Sequence, residues 1–304
     1  MRGHCCYSGL VKPRDLALYC LLALIWGFSF LLLVKSVAAF GWAGTSAFRS
    51  LIAGVTVAAF AAARGNRIKF GGQWQGLLIV AATTVAGQYV GIALAAPKIG
   101  TAMSAIFIST VPLFAMVISR LMGMEHLAPS RIAGLLLGIF GIGLLVGFPA
   151  FAITPDFVLG VALCIASCIS AAVGSVYASH HLTKSDPWAV TSGAFFLGGL
   201  MVLPFLFAVP LPHVPQPLDY LWLVLLGALI SGAGYVLYFG LVGSIGPTRA
   251  VSVEFVVTVI AVLVGGIFLG ERLTPVQWIG GAIVLFGCTL VLGLIPLRKL
   301  ASAF

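Results

Sequence analysis

Acidic residues are scarce in this chain of 304: seven Asp and Glu, against 16 Lys and Arg. Charged residues of both signs make up 8% of it, where a soluble domain carries about 25%. That shortage excludes an ordinary soluble fold. Other features are missing as well. The six cysteines contain no CxxC pair; Cys20, Cys164, Cys168 and Cys288 lie inside apolar blocks, and Cys5-Cys6 sit near the start. Cys164 and Cys168 are one helical turn apart and read as small packing residues. His180-His181 are adjacent and point to different helix faces, so they do not make a metal site. No phosphate-binding loop and no nucleophile–base set occurs, so neither ATP hydrolysis nor covalent catalysis has candidate parts. No catalytic residue, metal or cofactor is expected. A net charge of +9 could suggest a nucleic-acid partner. The basic residues, however, sit in short loops between apolar blocks, where they orient a membrane protein. No nucleic-acid partner is expected.

What is abundant is apolar: 61% of the chain. Ten runs are long enough for membrane helices, which need roughly 20 residues. They are Leu16–Val34, Ala43–Ala63, Leu77–Ala96, Thr101–Ser119, Ile132–Phe148, Phe157–Ala178, Trp188–Phe207, Tyr220–Val242, Ala250–Leu269 and Val276–Leu294. A membrane β-barrel would need alternating ten-residue strands instead of solid apolar runs. The first run follows a basic stretch like a signal peptide, but it is too long for a signal core and reads as a retained helix. Ala208–Asp219 carries Pro210, Pro212, Pro215 and Pro217 and reads as a stiff extended connector.

The chain is written twice. Slid by 146 residues, Ile99-Gly100 meets Ile245-Gly246, and Glu125-x-Leu127-x-Pro129 meets Glu271-x-Leu273-x-Pro275. Gly134, Phe140, Gly141 and Gly147 meet Gly280, Phe286, Gly287 and Gly293, and Trp42-Ala43-x-Thr45-Ser46 meets Trp188-Ala189-x-Thr191-Ser192. The expected organisation is a tail at 1–14, repeats at 15–150 and 151–296, and a tail at 297–304. Five helices per repeat is an odd number, so the second unit enters the membrane upside down. The expected fold is all-α: ten transmembrane helices as two inverted five-helix repeats, the architecture of secondary transporters. With the N-terminus cytoplasmic, twelve Lys and Arg fall on the cytoplasmic side and four (Lys35, Arg49, Lys98, Arg272) elsewhere. That bias puts both termini in the cytoplasm of a bacterial inner membrane.

Trp26-Gly27, Arg49, Pro112, Gly123-Met124-Glu125-x-Leu127-x-Pro129 and Leu269-Gly270-Glu271-Arg272-Leu273-Thr274-Pro275 resemble the EamA branch of the drug/metabolite transporter superfamily. The likeness covers nearly the whole chain. It implies export of small metabolites, often amino acids. It also implies a central cavity between helices one to four and six to nine, with helices five and ten at the periphery. The chain departs from the family at Val257-Thr258, where a Glu-Pro pair is usual; its acid is Glu254, one turn earlier.

Trp26, Phe30, Gln88, Tyr89, Tyr177, Tyr235 and Tyr238 are the polar and aromatic residues within the spans that suit a pocket for an amphipathic ligand. Tyr89 and Tyr235 are repeat mates. Arg49, whose mate is Phe195, suits a carboxylate, or else ties helix ends through backbone carbonyls. Glu254, whose mate is Ile108, is the candidate coupling group; otherwise it is a helix-entry residue paired with Arg249. Pro112 in the fourth span is the candidate hinge. Lys35 reads as a snorkelling lysine. Glu125 and Glu271 read as caps of the helices that follow them. Gly134-x-x-x-Gly138, Gly280 and Gly287 suit close packing, within a scaffold or a homodimer. The expected function is alternating-access export of a small organic metabolite such as an amino acid across the lipid bilayer. The alternatives are a facilitator or exchanger, a channel, and a membrane-embedded lipid-modifying enzyme.

Overall fold

Apolar runs of this length form helices because a bilayer leaves no other partner for backbone N–H and C=O groups. A computed structural model describes residues 13–66, 74–123, 129–147, 153–182, 185–245, 250 and 252–291. Both tails apart from Pro13 and Arg14, together with Glu125 and Arg249, lie outside these. Ten helices run through the described residues: α1 (13–40), α2 (42–63), α3 (Trp74–Ile99), α4 (Thr101–Leu121), α5 (Pro129–Gly147), α6 (Pro155–His181), α7 (Pro187–Phe207), α8 (Pro217–Ile245), α9 (Val253–Leu269) and α10 (Pro275–Val291). No strand occurs among them. Large apolar side chains such as Leu136, Phe140, Ile267 and Trp278 are exposed, as the surface of a multi-pass membrane protein requires.

Gly41 divides α1 from α2 with φ 67°, a conformation that disfavours any Cβ. The chain folds back there. Trp26 on α1 and Arg49 on α2 reach the neighbouring residues Ile230 and Ser231 of α8. A straight helix would hold the two about 34 Å apart. The expected extended connector is shorter than its sequence suggested. Pro217 opens α8, and Asp219 accepts from the Gln216 backbone N–H in a capping box.

The duplication survives as geometry. A Cβ on Gly141 would sit 2.7 Å from the Gly280 carbonyl oxygen, and one on Gly287 would sit 2.7 Å from that of Gly134. These are two pairs of repeat mates, so exchanging the units maps one contact onto the other. Thus α5 and α10 pack backbone to backbone within the chain, which gives these glycines a scaffold role. Helix neighbours obey the same exchange: α3 beside α6 mirrors α8 beside α1, and α2 beside α8 mirrors α7 beside α3.

Glu271 is a cap, but of a different helix from the one expected. Its carboxylate accepts from the Thr101 N–H (2.6 Å), the Ala102 N–H (2.8 Å) and the Thr101 hydroxyl (2.9 Å). It therefore caps α4 of the other repeat, not α10. Gly270, at φ 66°, turns the chain out of α9 and lets the Glu271 N–H bond the Gly265 carbonyl. That turn aims the side chain across the repeat boundary, which sequence adjacency to Pro275 could not show.

Candidate functional site

Two wide helical turns set the site. Residues Ala81–Gly87 of α3 and Leu225–Ala233 of α8 are π-helical, and they overlap when the repeats are superposed in sequence. A π turn displaces carbonyls from the i→i+4 ladder and is common at functional positions. Neighbouring helices use those carbonyls here. Ser170 of α6 donates to the Thr83 carbonyl (2.8 Å), and the Trp26 indole donates to that of Ile230 (3.0 Å). Gln88 and Tyr89 follow the first π turn; Ser231 and Tyr235 lie in or just after the second.

Between these turns is a cavity of about 100 Å³. Its walls come from α1 (Trp26, Ser29, Phe30, Leu33), α2 (Arg49), α3 (Gln88, Tyr89, Ile92), α4 (Ile108), α8 (Ile230, Ser231, Tyr235) and α9 (Glu254, Val257). Seven of the residues singled out in the sequence thus meet in one place: Trp26, Phe30, Arg49, Gln88, Tyr89, Tyr235 and Glu254. Tyr238 stands one ring behind, 5.6 Å from Trp26 and 6.4 Å from Tyr235 between centroids.

Tyr177 does not join them. It stacks on His181 at 4.2 Å and lies against Gly76 of α3. The cavity also takes no lining residue from α6 or α7, contrary to the expectation of walls from helices six to nine. The cause is a seam of small residues. A Cβ on Gly87, Gly91 or Gly174 would strike Ser170, Ser167 or Thr84, so α3 and α6 lie flush. The repeat mates of Ser167, Ser170 and Gly174 are Leu21, Leu24 and Phe28 on α1, all exposed, so α1 does not turn the matching face to α8. The first helix of one repeat therefore borders the cavity while its counterpart is sealed against α3.

The guanidinium of Arg49 is placed from two sides. Its Nε–H donates to the Ser231 hydroxyl at 2.7 Å, and its Cζ lies 4.0 Å from the Tyr89 ring centroid. The hydrogen bond goes to a hydroxyl, not to the backbone carbonyls that the alternative reading of Arg49 required. Glu254 lies in the first turn of α9 and also lines the cavity, so it is both a helix-entry residue and a cavity residue. Among the described residues no ion pair joins it to Arg49. The cavity therefore holds one guanidinium and one carboxyl side chain within an aromatic and aliphatic wall. Lys35 is exposed on α1, away from it. Among the described residues no group of three or more His, Cys, Asp or Glu could hold a metal ion.

Pro112 stands in the first turn of the second half of α4, where the helix breaks at Ser109–Thr110. The Ser109 and Thr110 hydroxyls donate to the Ile106 and Phe107 carbonyls (2.6 Å each). Proline has no N–H to return to the Ile108 carbonyl, and Ile108 lines the cavity. Ser231 was not among the residues singled out. A serine in an apolar run carries little signal by itself, but comparison with its repeat mate, Val85, marks it.

Comparison with known proteins follows the same outline. A model of the EamA-like transporter family matches residues 15–147 and again 158–293. An uncharacterized transporter of Archaeoglobus fulgidus is 26% identical over 270 residues, 88% of this chain and 94% of that one. The uncharacterized inner membrane transporter YedA of Escherichia coli K12 is 27% identical over 282 residues, 89% and 88% of the two chains. A solved crystal structure superposes with a TM-score of 0.67 at 20% identity, over 94% of this chain and 98% of the other, a likeness of fold.

Proposed function

Because this chain belongs to the EamA-like transporter family and is a membrane transporter, we propose that it exports a small organic metabolite, an amino acid by preference, by alternating access. The observation that carries the reading is that Arg49 and Glu254 line one cavity between the repeats. An amino acid is a zwitterion. A guanidinium offers its carboxylate two parallel hydrogen bonds, and a carboxylate offers its ammonium a partner. Burying either charge without such a partner is costly, so the site favours a ligand that brings both. Trp26, Tyr235 and Phe30 supply the apolar wall for the rest of the molecule, and Tyr238 backs them.

Transport follows from the inverted repeat. Two like units of opposite orientation can rock about a fixed central site, opening it to one side and then to the other. In this scheme the break beside Pro112 lets α4 flex. The excess of basic residues at one face, and a relative that is an inner membrane transporter, support a bacterial inner membrane with both termini in the cytoplasm. Glu254 is the proposed coupling residue. Counterflow in proteoliposomes loaded in turn with each common L-amino acid tests the substrate class. Acceleration of labelled uptake by at least one amino acid, lost in Arg49→Gln, is the expected result; no counterflow with any of them refutes the amino-acid reading. A pH gradient across the same vesicles tests coupling. Transport by Glu254→Gln that still responds to the gradient like the parent would point to a facilitator or exchanger instead.

A further inference from the structure

We infer that Arg49 and Ser231 form one carboxylate-recognition unit, in which Arg49 binds the ligand and Ser231 is the positioning residue that aims it. This rests on the reading of the cavity as the substrate site. The Ser231 hydroxyl has one proton, and it donates that proton to the Leu226 carbonyl at 3.0 Å, the i−5 partner that the π turn provides. Its oxygen is left as an acceptor, and it takes the Arg49 Nε–H at 2.7 Å. The Tyr89 ring supports the guanidinium at 4.0 Å. A guanidinium carries five N–H groups in one rigid plane. With Nε committed, the two terminal nitrogens form the paired edge that matches the two oxygens of a carboxylate.

The repeat supplies a comparison within the same molecule. The mates of Arg49, Tyr89 and Ser231 are Phe195, Tyr235 and Val85. Phe195 meets Tyr235 edge to face at 5.3 Å where Arg49 lies over the Tyr89 ring at 4.0 Å, and Phe195 and Val85 are both buried in one apolar cluster. The same three positions therefore carry a polar set in one half and an apolar set in the other. The apolar copy packs without an arginine or a serine, so packing does not require them. Both polar residues of the other copy line the cavity. A charge placed where the fold is content with a phenyl ring, together with the hydroxyl that orients it, marks a ligand contact.

The test uses the full chain in proteoliposomes with two probes, L-leucine and 3-methylbutylamine, which is L-leucine without its carboxylate. Ser231→Ala should raise the half-saturation concentration for L-leucine by about tenfold to a hundredfold, the loss of a hydrogen bond to a charged group, with the maximal rate kept. Ser231→Thr should restore it, and 3-methylbutylamine should be unaffected by either change. The double variant Arg49→Phe with Ser231→Val writes the apolar copy into the polar slot. It should reach the membrane at parental abundance and lose discrimination between the two probes. If Ser231→Ala handles both probes like the parent while Arg49→Gln loses L-leucine, Ser231 does not position Arg49, and the reading of the cavity stands. If the double variant fails to fold, the slot needs its polar pair for packing, and the inference is overturned. If Arg49→Gln transports L-leucine like the parent, Arg49 does not bind the carboxylate and this inference falls; if the parent moves no amino acid in counterflow, the amino-acid reading fails and this inference falls with it.

Discussion

Tyr89 and Tyr235 occupy matching places in the two repeats, yet they meet different partners. Tyr89 lies under the Arg49 guanidinium, while Tyr235 packs among Trp26, Phe195 and Tyr238. Both line the cavity. Removing either ring should therefore impair transport more than folding. We expect Tyr89→Ala and Tyr235→Ala to reach the membrane in comparable amounts and to show much slower uptake per molecule. Quantitative blotting alongside proteoliposome flux would check this, and parental flux in both variants would remove the rings from the site. Glu271 belongs to the opposite class. Its carboxylate accepts three hydrogen bonds at the start of α4, far in sequence and outside the cavity. Glu271→Ala should cost about 1–2 kcal/mol of stability, the range for a lost helix cap. Thermal unfolding in detergent should show it as a lowered midpoint, with substrate half-saturation unchanged in the molecules that remain folded. In the sequence both acids, Glu254 and Glu271, looked notable. Repetition alone separated them, since Glu271 has an acidic mate and Glu254 has an apolar one.

At the scale of elements, glycine decides which helices touch. A Cβ at Gly141 or Gly287 would meet backbone atoms of the partner helix at 2.7 Å, and backbone cannot turn aside as a side chain can. Gly143, on the same helix as Gly141, has nothing within 4 Å of its would-be Cβ. Gly141→Ala and Gly287→Ala should each destabilise the protein by about 1–3 kcal/mol, as overpacking does, whereas Gly143→Ala should be close to neutral. A detergent melting series on the three variants checks this; equal midpoints would refute the close approach of α5 to α10. The π turns of α3 and α8 could not be read from the chain, because they depend on which neighbouring side chains claim the displaced carbonyls. The break beside Pro112 could be read, because proline lacks an N–H wherever it stands. The sealing of α6 against α3 was readable in part. The run Gly160, Ser167, Ser170 and Gly174 was in plain view, but its effect on the cavity depended on what faced it.

At the scale of the molecule, the odd number of helices per repeat makes the two units antiparallel. The consequence is open to direct test. A reporter fused after Phe304 should be cytoplasmic, and one inserted between Pro210 and Pro217 should lie on the other side. Alkaline phosphatase and fluorescent-protein fusions give opposite signals for the two locations, and the same location for both would end the inverted-repeat account. One ion pair is informative at this scale. Lys98 of α3 and Asp156 of α6 join the two repeats at the face that also carries Glu271 and Thr101. That face is thus tied across the repeat boundary twice among the described residues.

The sequence by itself determined the class, the helix count, the duplication and the residue types able to meet a ligand. These follow from composition and from a fixed 146-residue offset, and neither depends on how helices pack. It also contained every polar side chain of the cavity. Only the tertiary structure decided which of them meet. Tyr177 is excluded because glycine and serine let α6 close on α3, and Glu271 serves α4 because Gly270 turns it across the boundary. Ser231 joins Arg49 because a π turn presents its oxygen to the guanidinium. In each case the partner finally met lies far away in the chain. The physical reason is common to all three: close approach depends on the volumes and hydrogen-bonding groups of both surfaces, and a linear pattern records only one surface at a time.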